Sequence, residues 1–118
     1  MNLVTQPEDS TLCGQCCVAM IAGLPLREVR RAFAKWGRTH GPDLVEALFR
    51  LGIPARRSGR LNKNGSLPPR CIIAVSRQAK GKATHWMVRW DGHVYDPNGA
   101  IDPQDYFRVT SYLEIAGA

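Results

Sequence analysis

The hydrophobic period of this chain changes once, between residues 52 and 71. Before the change, apolar residues recur at helical spacing. After it they run or alternate as in strands. Helices gathered in one half and strands in the other predict an α+β layout, with N-terminal helices packed on a C-terminal antiparallel sheet. The chain has 118 residues, enough for one hydrophobic core, and residues 1–118 are read as a single domain.

The first half divides at its breakers. Residues 1–12 are an extended lead-in ending in Asp9, Ser10 and Thr11, all side chains that cap helices. Cys13 to Ala22 is small and apolar without alternation, the pattern of a buried central helix stopped by Gly23. Leu26, Val29, Phe33 and Trp36 form a stripe that predicts a helix over 26–36, with Arg27, Arg30, Arg31 and Lys35 on its other faces. After the break at 38–43, Leu44, Val45, Leu48, Phe49 and Leu51 predict a third, amphipathic helix, capped by Asp43 and ended by Gly52.

In the second half, Ile53 to Arg57 reads as a short edge strand and 58–69 as a polar loop. Cys71 to Ser76 is a buried strand, and 77–83 is a basic turn. His85 to Trp90 alternates, Asp91-Gly92 is a strong two-residue hairpin signal, and His93 to Asp96 returns. Tyr106 to Val109 and Tyr112 to Ile115 add a last strand or a short helix. Trp86, Val88 and Trp90 share one face of their strand, opposite His85 and Met87, and are read as core.

Charge and cysteine usage narrow the function classes. Lys and Arg number 16 against 10 Asp and Glu, a net charge of +6. The bases are scattered and form no run of five or more, so nucleic acid is not the expected partner; a solvated basic face or an acidic partner is. No window is apolar for the ~20 residues of a membrane span. The first residues show neither a basic nor an apolar signal region, and a cytoplasmic protein is expected. Cys13, Cys16 and Cys17 crowd within two helical turns and only Cys71 is remote, a poor disulfide framework.

Cys13 has the chemistry of a nucleophile. It opens the central helix, where free N–H groups and the helix dipole favour a thiolate and an oxyanion. Gly14 beside it removes side-chain bulk and lets a substrate backbone approach. Cys17 and Cys71 are read as core. With a turn at Asp91-Gly92, partner residues sum to about 183, so Asp96 lies opposite Met87 and diagonal to His85. A carboxylate that orients an imidazole beside a thiol completes a triad. Asn98, opposite His85, is a competing orienter. His93 is read as an exposed hairpin residue and His40 as a loop residue.

Gln6, Cys13-Gly14 opening the Val18-Ala19-Met20-Ile21 helix, His85-Trp86-Met87-Val88 and Asp96-Pro97 occur in an order that resembles a known family. It is the papain-like cysteine peptidases of the bacteriocin-processing type, which trim double-glycine leaders at the N-terminus of certain ABC transporters. The likeness runs from residue 3 to about residue 99. It implies a papain-like fold and a cysteine hydrolase, with Cys13 as nucleophile, His85 as base and acid, Asp96 as orienter and Gln6 as side-chain oxyanion donor. The second donor would be the Cys13 N–H. There are two departures. Gln6 precedes Cys13 by seven residues where the family usually has six, so a small bulge must absorb one. Cys13-Gly-Gln-Cys16-Cys17 also echoes the papain Cys-Gly-Ser-Cys-Trp stretch, in which the second cysteine attacks, and this keeps Cys16 as a candidate. The transporter's membrane and nucleotide-binding parts are missing here, so a leader substrate is not implied.

The expected substrate is a protein or peptide, with no cofactor and no metal. Peptide or isopeptide cleavage, deamidation and acyl transfer all fit the same three residues. Three rivals stand beside the hydrolase. Cys13-Gly-Gln-Cys16 at a helix start is a redox C-x-x-C pattern, but the preceding residues make a poor strand. A zinc site from Cys13, Cys16 or Cys17 with Cys71 or His85 has only one close pair. The third is a non-catalytic binding module that presents a basic face.

Overall fold

The computed structural model describes residues 1–58, 65–76, 84–101 and 108–116. The elements are helices α1 (Cys13–Ala22), α2 (Leu26–Val29) and α3 (Gly41–Arg50), and strands β1 (Ala55–Ser58), β2 (Arg70–Ser76), β3 (Thr84–Trp90), β4 (His93–Asp96), β5 (Ala100–Ile101) and β6 (Arg108–Ile115). The strands form one six-stranded sheet in the order β1-β6-β2-β3-β4-β5, antiparallel throughout. The architecture is α+β. No helix among the described residues is long and apolar enough to cross a membrane.

The helices cover one face of the sheet. Cys17 to Met20, Val29, Leu44 and Leu48 pack there against Ile72, Ala74, Trp86, Val88, Leu113 and Ile115. Cys71, Ile73, Val75, Met87 and Val94 form a second, smaller cluster on the other face. Residues of both parities are thus buried in β2, which explains its unbroken apolar run. Trp86 and Val88 are core as expected, and Trp90 packs against the same cluster with the Arg70 guanidinium 4.6 Å from its ring centroid.

α1 is the central helix. Gly14 to Met20 are all buried, which requires a helix apolar nearly all round. Gly23, at φ 69°, ends it in the left-handed conformation, and the Leu24 N–H returns to the Ala19 carbonyl at 3.1 Å. In α3, Leu44, Ala47 and Leu48 are buried. Phe49, read from the sequence as part of the apolar stripe, is 75% exposed: one residue past Leu48, it turns about 100° away from the buried face.

The helix predicted over 26–36 stops early. After α2 comes one 3-10 turn, Arg30–Ala32, and Phe33 is extended at φ −103°, ψ 133°. So short a helix has little intrinsic stability, and tertiary bonds decide its end. The Arg50 guanidinium donates to the Ala32 carbonyl at 3.1 Å. Beyond it, the Gly37 and Thr39 carbonyls accept from Gln15 and Trp86. Of the last expected segment, residues 106 and 107 lie outside the described residues and 108–115 is one strand: the register against β2 shifts between Ala74 and Val75, where the Thr110 hydroxyl donates to the Ala74 carbonyl at 3.2 Å. The inner part of the predicted 58–69 loop and all of the 77–83 turn lie outside the described residues.

Candidate active site

The mouth of α1 is built without a side-chain cap. The N-cap position is Leu12, and no side chain from Asp9, Ser10 or Thr11 closes the helix, contrary to expectation. Those residues form a turn instead. The Ser10 N–H donates to the Pro7 carbonyl at 3.1 Å, and Asp9 takes φ 58°, which a short polar side chain tolerates. This turn lies within the stretch between Gln6 and Cys13. The first intrahelical bond runs from the Cys16 N–H to the Leu12 carbonyl at 3.0 Å. The N–H groups of Cys13, Gly14 and Gln15 therefore have no intrahelical acceptor. One of them, Gly14, donates to the Cys13 sulfur.

The second part is the hairpin of β3 and β4. Asp91 at φ 51° and Gly92 at φ 88° make the two-residue turn, and Trp90↔His93, Arg89↔Val94 and Val88↔Tyr95 pair in the expected register. Even-numbered residues of β3 direct their N–H and C=O groups toward β4, so the next bonded pair would be Trp86 with residue 97. Residue 97 is a buried proline with no N–H, and its carbonyl accepts instead from the Gln6 N–H at 2.8 Å. The ladder opens there. The Trp86 N–H, left over, donates to the Cys13 sulfur.

His85 and Asp96 meet at this opening. His85 is 8% exposed and Asp96 7%, and His85 Nε2 lies 2.6 Å from Asp96 Oδ1. By alternation both belong to the face of Met87 and Val94, whereas Cys13 arrives from the helical side. Because Asp96 holds Nε2, Nδ1 is the ring nitrogen left for the Cys13 thiol, and each of the two side chains shifts the other's titration. Asn98, the competing orienter, is exposed and contributes its backbone N–H, which donates to Asp96 Oδ1 at 2.9 Å.

These contacts set the charges. Burial pushes the Cys13 thiol up, but the His85 hydrogen bond, the Trp86 N–H, the His85 charge and the Gly14 N–H outweigh it, and the thiol ends below its ordinary value. Burial pulls the His85 imidazolium down, but its bonds to Asp96 and Cys13 and their charges outweigh that and raise it to about 9. Both shifts run toward the charged forms, thiolate and imidazolium. Cys16, fully buried, is pushed up by burial and by Cys13 to about 12, and Cys71 by burial to about 12. Cys17 is raised well above the ordinary range by burial. Of the four free thiols, only Cys13 is both accessible and activated.

Gln6 sits beside the opening through its backbone, while its side-chain Nε2 donates to the Ser10 carbonyl at 2.8 Å. The same nitrogen donates its second hydrogen to Ser10 Oγ at 3.4 Å, so both amide hydrogens are engaged on Ser10. Gly14 has a packing role as well. A Cβ there would stand 2.2 Å from Thr39 Oγ1 and 2.9 Å from Leu44 Cδ2, so its smallness serves close packing under the site. Gln15, fully buried, ties the site to the loop before α3 by donating to the Gly37 carbonyl at 2.6 Å. The Trp86 indole does the same at the Thr39 carbonyl, 3.3 Å away. Neither tie is visible in the sequence, but Pro97 was a signal for the open ladder, since proline cannot continue a central pairing. His93 is exposed beside the turn. His40 is exposed before α3, where the Asp43 carboxylate accepts from its N–H at 2.8 Å.

Among the described residues no group of three or more His, Cys, Asp or Glu could hold a metal ion. The chain matches no protein-family model and no curated protein.

Proposed function

We propose that this protein is a cysteine hydrolase of a peptide, isopeptide or amide bond in a protein substrate. The observation that carries the reading is the buried His85 Nε2–Asp96 Oδ1 contact at 2.6 Å, beside a Cys13 thiol that His85 draws below its ordinary value. The order of these residues along the sequence, on a helix, a strand and a hairpin, supports a papain-like fold related to the bacteriocin-processing peptidases.

In this mechanism the Cys13 thiolate attacks the substrate carbonyl carbon. The oxyanion is met by the Cys13 N–H and by the side-chain amide of Gln6, which turns from Ser10 to reach it. His85 gives its Nδ1 proton to the departing amine, and the C–N bond breaks to leave a thioester. His85, now neutral, takes a proton from water as that water attacks the thioester. The acid product leaves, and the thiolate and imidazolium are restored. Asp96 holds the ring in the productive tautomer throughout. Transfer to an amine in place of water would make the same site an acyltransferase, and attack on a glutamine side chain would make it a deamidase. Four unpaired thiols fit a reducing compartment, and we place the protein in the cytoplasm.

Iodoacetamide labelling of the native protein with peptide mapping tests the reading, followed by trapping of substrates with Cys13→Ala. Fast, single-site labelling at Cys13 is expected. Preferential labelling of Cys16, or turnover that survives both Cys13→Ala and His85→Ala, would overturn it.

A further inference from the structure

Five cations lie between residues 27 and 38, namely Arg27, Arg30, Arg31, Lys35 and Arg38, against one acid, Glu28. All five are exposed. Elsewhere, Arg50 pairs with Glu46, and Arg70 pairs with Asp91 at 2.9 Å. Among the described residues none of the five is in an ion pair. Their charge is therefore uncompensated locally.

The path of the chain puts this charge beside Cys13. Leu24 is bonded to the C-terminal end of α1, and Gly37 and Thr39 are bonded to Gln15 in its first turn and to Trp86 beside the thiol. The segment between them must run back along α1 from its far end to its mouth. Arg38 lies between the two anchored carbonyls, and Arg27, Arg30 and Arg31 line a shallow concavity farther off together with Glu28, three cations to one acid. A ten-residue helix is about 15 Å long, which an extended segment of about five residues would span.

The two aromatic rings of the segment, Phe33 and Trp36, are both engaged. The Arg30 guanidinium lies 5.5 Å from the Trp36 ring centroid, and Phe33 packs edge-on at 5.9 Å. A single-stranded nucleic acid would find phosphate partners here but no free stacking platform. A row of carboxylates needs only the cations.

We propose that Arg27, Arg30, Arg31, Lys35 and Arg38 form a docking ridge for an acidic stretch of the protein substrate, about five residues long and flanking the bond presented to Cys13. The word substrate rests on the hydrolase reading; the binding does not.

The test uses full-length Cys13→Ala protein and a fluorescein-labelled twelve-residue Glu/Ser peptide, with a Gln/Ser peptide and a dT oligonucleotide of equal length as comparators. Arg31→Glu/Lys35→Glu breaks the ridge. Arg56→Glu/Arg70→Glu changes net charge equally at other sites. By fluorescence anisotropy the acidic peptide should bind better than the neutral one. The ridge variant should weaken it roughly ten-fold or more and the control pair about two-fold or less, since like-charge contacts act at short range in salt. Arg31→Gln/Lys35→Gln should fall between, which guards against a misfolded charge reversal. Equal losses in the two charge-reversed pairs would overturn the proposal, as would no preference for Glu over Gln. Tighter binding of the oligonucleotide, lost in the ridge variant, would make this a nucleic-acid surface instead. Failure of the hydrolase reading would show separately, as no Cys13-dependent turnover in the wild-type protein.

Discussion

The two ends of the β3–β4 hairpin follow opposite rules. At the turn end, Asp91 and Gly92 supply positive φ, Trp90 pairs with His93, and the ladder is regular. At the other end Pro97 withholds a donor, and its carbonyl goes to Gln6, ninety-one residues earlier in the sequence. The N–H of Trp86 then serves the Cys13 sulfur, and the side chains of His85 and Asp96 meet beside it. The closed end is made by local sequence and contributes stability. The open end leaves backbone groups without strand partners, and distant segments use them. A reactive site fits there because its donors are already in place and need no reorganisation when charge develops.

The largest effect should come from breaking the open end at its carboxylate. Asp96→Asn should keep the fold and slow turnover by on the order of 10⁴, the loss known for the equivalent change in a serine protease. The pH profile supplies a second readout. In the parent, activity should rise as the Cys13 thiol ionises below its ordinary value of 9.0, and fall as the His85 imidazolium is lost on passing about 9. Asp96 is what raises His85 most, so in the variant the alkaline limb should move to lower pH. An unmoved alkaline limb would separate Asp96 from the titration of His85. Next in size is Gln6→Ala, which should lower kcat by on the order of 10²–10³ with little change in KM, because an oxyanion donor acts only once the charge has developed. A change confined to KM would reduce Gln6 to a backbone anchor for Pro97.

The sequence announced the closed end almost completely and the open end in part. Asp91-Gly92 dictates both turn and register, so the diagonal approach of Asp96 to His85 follows from local geometry alone. The uninterrupted apolar runs of α1 and β2 are equally legible, since a buried element needs no alternation. What was not legible depends on partners far along the chain. The uncapped mouth of α1 follows from the use of residues 7–10 as a turn anchored at Pro97. The short α2 follows from ties to Arg50, Gln15 and Trp86. β6 lies between β1 and β2 because of pairings that no local pattern encodes. Gly14 was read as room for substrate, and the packing contacts that also require it belong to Thr39, Leu44 and Trp86.

That last contact gives a smaller, sharper test of the open end. Gly14→Ala would push a Cβ into Thr39 Oγ1 and Leu44 Cδ2, and overpacking of this kind costs about 1–3 kcal/mol. Since Trp86 Cδ1 is only 3.3 Å from the same Cβ position, the strain should also move the donors of the Cys13 sulfur. Stability in denaturant and the iodoacetamide rate at Cys13 should fall together. Loss of stability with an unchanged rate would show that the thiol's surroundings tolerate displacement.

The smallest effect belongs to the closed end. Gly92→Ala places a side chain at φ 88°, a left-handed conformation that costs an L-residue roughly 1–2 kcal/mol. No heavy atom lies within 4 Å of the added Cβ, so the cost is backbone strain alone. The turn is separated from Trp86 by the bonded pairs of Val88 with Tyr95 and Trp90 with His93, which hold the register once formed. The expected result is a lower denaturation midpoint with the iodoacetamide rate at Cys13 and its pH dependence unchanged. If thiol reactivity fell in step with stability, as in Gly14→Ala, the two ends would be mechanically coupled, and the division of labour along the hairpin would fail.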